Sequence, residues 1–309
     1  MRTLIVGAGA VGGFVAARMA GHGLDVTVLA RPASAARLRA GGLTLTDGKT
    51  SETFKPAVVT AGELAGPFDL VILAVKAGAL DQALDDAAAA IGPATVVVPF
   101  INGLGHLDAM TARLGPAAAG GVLRVSTERQ DDGSIRILSP LFETEVGELD
   151  GSASDRIEAV AELLRQAGAT VTVAEDIVGR MWVKWVFIAA LGALTSLMRA
   201  PVGDIAAFAA GRGLAAGLLA EIAAVADTAG HGLDAGTLAA VGGQLTAAGS
   251  PMTASLSRDL LAGHPTEVEP VLGDLVERGH RLGLSLPLTG LATLNLRVHN
   301  RRVSEAQSG

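Results

Sequence analysis

Near the N-terminus, Gly7-Ala8-Gly9-Ala10-Val11-Gly12 makes a G-x-G-x-x-G run suited to holding a nucleotide's phosphates. In such a turn the first glycine allows the tight bend and the second lets the backbone approach a pyrophosphate. The third lets helix and strand pack closely, while the helix N-terminus offers N–H donors and partial positive charge. The chain has 40 glycines, so the run alone is weak and its flanks decide. Arg31 follows Val28-Leu29-Ala30, where an NAD site would carry Asp or Glu for the ribose 2′-OH. A guanidinium there pairs instead with a 2′-phosphate, with Arg37 as an assistant, which favours NADP(H); the competing reading is a solvated arginine. Lys76, after Val75, and Asn102, in Asn102-Gly103-Leu104-Gly105, each follow an apolar run. Either could touch the cofactor's ribose or the substrate; otherwise Lys76 caps a sheet and Asn-Gly is a plain turn. Lys184 stands inside the apolar stretch Met181 to Leu191, so its ammonium must find a partner, snorkel to solvent or serve a function.

These groups need elements to hold them. Residues 2–7 predict a strand, Val11 to His22 a helix and Asp25 to Leu29 a second strand, one βαβ unit around the glycine turn. Leu43 to Thr46 and Ser51 to Val59, either side of Asp47-Gly48, alternate like a hairpin inserted before the next parallel strand. Asp69 to Val75 and Thr95 to Pro99 read as buried strands, with an Ala-rich helix over 77–90 between them. Gly121 to Glu128, Ser134 to Leu138 and Glu143 to Val146 predict antiparallel strands with a turn at Asp132-Gly133, and a helix over 154–166 and a strand over 170–173 complete a mixed sheet. From Asp176 only helical patterns remain, punctuated by Pro201-Val202-Gly203, Gly249-Ser250-Pro251 and Gly263-His264-Pro265. The expected fold is therefore an α/β Rossmann-type N-terminal domain with a mixed sheet, residues 1–174, and an all-α C-terminal domain, residues 175–309.

Composition bounds the partners. Half the residues are hydrophobic and 18% charged, which excludes a disordered chain, and 309 residues suffice for two cores. Mean hydropathy of +0.44 raises the membrane question. The uncharged run Ala87 to Leu107 is broken by Gly92-Pro93 and Pro99, and Trp185 to Met198 is too short to span comfortably, so it reads as a buried helix and no membrane partner is expected. The chain has no cysteine, hence no disulfide framework, thiolate nucleophile or Cys-ligated metal site, and no metal is expected; a cytoplasmic location fits. A net charge of −7 with 3% aromatics argues against a nucleic-acid surface.

Taken together, the glycine turn, Arg31, Val75-Lys76, Asn102-Gly103-Leu104-Gly105, Trp182-Val183-Lys184, Ser255-Leu256-Ser257-Arg258-Asp259, Thr266-Glu267-Val268-Glu269 and Gly283 to Pro287 occur in an order and spacing that resembles the ketopantoate reductase (2-dehydropantoate 2-reductase) family over the whole chain. The resemblance implies a C-terminal domain like that of 6-phosphogluconate dehydrogenase. It also implies NADPH-dependent reduction of a small 2-oxo acid, ketopantoate to pantoate in pantothenate biosynthesis, and leaves a homodimer open. By the same resemblance Lys184 is the proton donor to the nascent alkoxide and Glu267 binds the substrate hydroxyl and supports the lysine, with Glu269 a nearby decoy. Ser255 contacts the substrate carboxylate, and Asn102 lies at the ribose or the substrate.

The departures bear on the substrate. The family places asparagines four and eight residues after the lysine, and another three before the serine; here those positions are Ile188, Gly192 and Met252. Each lost hydrogen bond to a charged group costs on the order of 1.5–3 kcal/mol, so ketopantoate is expected to be a weaker substrate than a 2-oxo acid with a less polar side chain. Two rival readings stand beside this one. An NADP(H)-binding sensor would keep the glycines and Arg31 but has no use for Lys184 and Glu267. A 3-hydroxy acid or opine dehydrogenase would use a histidine base, for which His106, close after Asn102-Gly103, is the residue to watch.

Overall fold

The computed structural model describes residues 1–308, and the chain packs as two units. The first holds residues 1–101 and 106–181; the second holds residues 102–105 and the chain from Trp182 onward. The sequence places the boundary after residue 174, whereas the packing units divide inside a helix, after Met181.

The first unit opens with β1 (Thr3–Val6), α1 (Ala10–Gly21), β2 (Val26–Leu29) and α2 (Pro32–Gly41). Next come β3 (Leu43–Thr46), β4 (Ser51–Phe54), β5 (Ala57–Val59), β6 (Leu70–Leu73), α3 (Leu80–Asp86), β7 (Val96–Pro99) and α4 (Gly105–Leu114). One five-stranded sheet runs β5-β2-β1-β6-β7, every pair parallel. Its strands are apolar on both faces because both are covered. Leu4, Val6, Val71 and Leu73 pack with Leu80 and Leu84 of α3, while Ile5, Val28, Ile72 and Val98 pack with Phe14 and Val15 of α1. Strand order reverses between β1 and β6, and it is outside such a reversal, at the carboxyl ends, that open α/β sheets bind ligands.

The expected mixed sheet is a separate layer. It comprises β8 (Gly120–Arg129), β9 (Ile135–Gly147) and β10 (Thr170–Val173) with the β3–β4 hairpin, α5 (Asp155–Gln166) lying between β9 and β10 in sequence. Its apolar face closes over α1, where Leu43, Leu45, Ile135 and Phe142 join the core and the Phe142 ring meets Phe14 edge-on at 5.0 Å. Three expectations are corrected here. The arm over 51–59 is two strands, because Lys55-Pro56 interrupts it and proline lacks a ladder N–H; β4 stays on β3, and β5 crosses to β2 in the parallel sheet. The strands over 134–138 and 143–146 are one long β9, with Pro140 tolerated opposite the register shift between Val125 and Thr127. The helix over 77–90 is only α3, flanked by tight turns at Ala77–Ala79 and Ala88–Ala90.

The second unit is helical throughout its described residues: α6 (Ile177–Met198, from Trp182 on), α7 (Val202–Ala206), α8 (Ala209–Thr228), α9 (Ala235–Leu245), α10 (Ser255–Leu261), a π-helical turn at Glu269–Gly273, α11 (Asp274–Arg281) and α12 (Pro287–Ser308). The uncharged run read from Trp185 to Met198 is the C-terminal part of the 22-residue α6, which also carries Arg180 and Lys184. By length and composition α6 and α8 could each cross a bilayer, but the most apolar window of α6 is 67% buried, as in a core helix. The open end of α12 is closed by Glu221 of α8, which accepts from the amides of Leu288 at 3.0 Å and Thr289 at 2.8 Å.

Candidate active site

The glycine turn sits where β1 enters α1, beside the sheet's reversal point, and each glycine answers to a different neighbour. Gly7 has φ +100°, and a Cβ there would stand 2.7 Å from the Ala74 carbonyl at the end of β6. A Cβ on Gly12 would collide with the Gly7 carbonyl and come 2.9 Å from the Ala74 methyl. Gly9 meets nothing within 4 Å: side-chain space is left open beside the N-terminus of α1, where a pyrophosphate would take the free amides. The geometry therefore fits a dinucleotide, with Ala8, Ala10 and Val11 supplying backbone between the glycines. Arg31, exposed, is the residue before α2 and stands just past β2. Lys76, also exposed, follows β6 by three residues, so it emerges beside Gly7 on the neighbouring strand.

In the second unit the segments that carry Lys184, Glu267 and Asn102 come together at one backbone feature, the π-helical turn over 269–273. Trp185, next to Lys184 on α6, is fully buried and donates from Nε1 to the Val271 carbonyl at 2.9 Å. That bond ties the turn of α6 carrying Lys184 to the segment Glu267 leads into. Gly103 (φ +83°) packs so tightly on the Pro270 carbonyl that a Cβ would collide with it, which brings the Asn102 loop to the same turn. Single π-turns cost regular hydrogen bonding and are frequent at functional sites. Lys184, Glu267 and Asn102 are each half-buried, whereas Ser255, at the first position of α10, is exposed. The nucleotide-turn residues thus lie in one unit, and Lys184, Glu267, Ser255 and Asn102 in the other.

Neighbours that the sequence does not single out hold these groups. Thr266, immediately before Glu267, is buried and clamped by Asn300 of α12: the Asn300 Oδ1 accepts from the Thr266 amide at 2.8 Å and its Nδ2 donates to the Thr266 carbonyl at 2.9 Å. Ser255 is flanked by two anchors on α6. The Ala254 amide donates to Thr195 Oγ1 at 3.4 Å, and the Leu256 side chain packs on Gly192. Glu269 is occupied elsewhere, in a pair of hydrogen bonds from Arg297 of α12 at 2.6 and 2.8 Å that holds its carboxyl below the ordinary range. Of the histidines, His106 is buried in the first turn of α4, and His231 stacks on Trp182 with centroids 5.4 Å apart.

Residues spaced i, i+4 and i+8 line one face of a helix, so Lys184, Ile188 and Gly192 form a stripe on α6. Gly192 is not an empty slot. A Cβ there would lie 2.8 Å from Leu256 Cδ1, so the leucine of α10 already fills the place an asparagine would need. Ile188 and Met252 are half-buried.

The comparisons with known proteins agree with this layout. Residues 3–151 match the family described as ketopantoate reductase PanE/ApbA, and residues 176–299 match its C-terminal counterpart. An uncharacterized oxidoreductase, YkpB, of Bacillus subtilis (strain 168) is 33% identical over 97% of this chain and 99% of its own. A 2-dehydropantoate 2-reductase of Mesorhizobium japonicum is 30% identical over 93% of this chain and 94% of its own. Among solved structures, D-mandelate dehydrogenase with NADH and anilino(oxo)acetate shares the fold, with a TM-score of 0.87 over 98% of this chain and 99% of that one, at 19% identity. A glycine-turn unit over a parallel sheet, a helical unit with its lysine on α6, and matches spanning both identify the chain as a member of the ketopantoate reductase family of oxidoreductases.

Proposed function

We propose that this protein is a cytoplasmic, NADP(H)-dependent reductase of a 2-oxo acid, with a substrate side chain less polar than that of ketopantoate. The observation that carries the reading is the α6 stripe: Lys184, then apolar Ile188, then Gly192 closed over by Leu256, ending beside Ser255. When bound, the nicotinamide cofactor supplies the hydride. The chain's own residues then deal with charge. Reduction leaves negative charge on the carbonyl oxygen, and the Lys184 ammonium donates its proton there. Glu267 supports the lysine and binds a substrate hydroxyl where there is one, while the Ser255 hydroxyl donates to the substrate carboxylate. Arg31 takes the 2′-phosphate, and Lys76 and Asn102 contact the cofactor's ribose, with Asn102 also within the substrate's reach.

Apolar groups along the stripe favour alkyl or aryl carbon by roughly 25 cal/mol per Å² buried. The test is a comparison of kcat/KM for ketopantoate, ketoisovalerate, longer branched 2-oxo acids and benzoylformate, each with NADPH and NADH. The aryl acid belongs in the panel because the fold is shared with a protein named D-mandelate dehydrogenase. The expected result is preference for the less polar acids, moved back toward ketopantoate by Ile188→Asn with Met252→Asn. A hundredfold preference of the unaltered enzyme for ketopantoate would overturn the pocket reading and put the protein in pantothenate biosynthesis. Absence of turnover with any 2-oxo acid would return it to the nucleotide-binding sensor.

A further inference from the structure

Two arginines, Arg37 and Arg129, come to one hairpin of the sheet that covers α1, and among the described residues no ion pair is made by either. Arg129 is the last residue of β8, opposite Ile135, and Thr127 stands opposite Ile137, so both point to the face that covers α1. The Thr127 hydroxyl marks where that face lies: it donates at 3.3 Å to the carbonyl of Ala10, the first residue of α1. Arg37, on α2, reaches the same hairpin, its guanidinium packed where a side chain on Gly133 would be. Arg37 stands six residues after Arg31, roughly 9 Å along the axis at 1.5 Å per residue, and its side chain leans toward that end of α2. Partial burial first, and the Arg37 charge second, depress the Arg129 guanidinium. Among the described residues no carboxylate lies within 4.0 Å of Arg31, Arg37 or Arg129; Glu128 points to the other face and accepts from Gln130 at 3.0 Å. Two like charges held together across two elements call for an anion.

We propose that Arg37 and Arg129 close on the ribose 2′-phosphate of NADP(H) from the hairpin side, opposite Arg31, and are specificity-determining residues for that cofactor. The assignment rests on the NADP(H) reading above. A dianionic phosphate offers enough acceptor oxygens for three guanidinium groups, and its charge outweighs the repulsion between the two cations. The hairpin thereby contributes to cofactor choice from a part of the chain about a hundred residues beyond Arg31, outside the βαβ unit that carries the usual determinants.

Calorimetric titration of the full-length protein with adenosine 2′,5′-bisphosphate, ADP, NADPH and NADH tests this. Both arginines are exposed, so Arg37→Met and Arg129→Met should fold, which a thermal melt checks. Each is expected to weaken adenosine 2′,5′-bisphosphate and NADPH about tenfold, and the pair by considerably more, with ADP and NADH moved less than about twofold. If the double variant binds NADPH as the unaltered protein does, while Arg31→Met loses it, the assignment of Arg37 and Arg129 fails and the NADP(H) reading survives. An equal loss for ADP would assign the pair to the diphosphate and overturn the 2′-phosphate assignment. Equal affinity of the unaltered protein for NADPH and NADH would instead remove the NADP(H) reading, and this inference with it.

Discussion

Lys184 and Glu269, both charged residues of the helical unit, make opposite predictions. Lys184→Ala should lower kcat by about a hundredfold or more with NADPH affinity unchanged, the range a general acid contributes. Steady-state kinetics paired with cofactor titration would show it, and more than about a tenth of the rate surviving would make Lys184 a snorkelling residue. Glu269→Gln, by contrast, breaks only an exposed pair with Arg297 and should leave turnover intact and stability within about 1 kcal/mol. Asn300 touches none of the reacting groups, yet it fixes the residue before Glu267. Asn300→Ala leaves the buried Thr266 amide without its acceptor, at roughly 1–3 kcal/mol, and should reduce kcat about tenfold with a smaller change in KM. Asn300→Asp keeps that acceptor and should recover part of kcat; lost stability with unchanged kcat would reduce Asn300 to a structural clamp. The difference in legibility follows from distance along the chain. The glycine turn and Arg31 are local patterns, and Lys184 stands out as a charge in an apolar run. The Asn300–Thr266 clamp spans 34 residues and the Trp185–Val271 bond 86, separations that leave no trace in spacing. Pro270 inside a helical stretch was the one local sign of the π-turn.

At the scale of elements, two carboxylates carry connections that propensity alone would not secure. Glu148, just after β9, accepts from Arg156 Nε and Ser154 Oγ, each at 2.6 Å, and so ties the first turn of α5 to the mixed sheet. Arg156, foremost, holds the Glu148 carboxyl below its ordinary value of 4.5, with Ser154 adding to it against the opposing effect of burial. A depressed folded-state value means the contribution is complete above about pH 4.5 and is lost as pH falls further. Glu148→Gln should therefore cost roughly 1–3 kcal/mol near neutrality, and the gap in melting temperature should narrow on acidification; a gap independent of pH would refute the link. Glu221→Ala should destabilise by a similar amount, because the first amides of α12 lose a charged acceptor; denaturant unfolding would measure it. Element types follow from the sequence because the period of apolar residues changes from two to helical spacing near residue 174. Pairings did not follow in the same way. Lys55-Pro56 marks the break locally, but nothing local says that β5 then crosses to the parallel sheet, where it pairs with β2.

For the molecule as a whole, the placement of Trp182 and Trp185 has an optical consequence. The chain has these two tryptophans and no tyrosine, so its intrinsic emission arises almost entirely from the turn of α6 that carries Lys184. One indole is stacked on His231 and the other lies under the Arg278 guanidinium, 5.6 Å from its centroid, so a shift of either neighbour alters the light emitted. The glycine-turn unit is dark. Unfolding followed by fluorescence therefore reports the helical unit alone, while far-ultraviolet circular dichroism reports both, and the separation between the two curves measures how far the units melt independently. The same asymmetry makes emission a label-free way to test binding of the proposed 2-oxo acid, with the two fluorophores already sited on either side of the proposed proton donor.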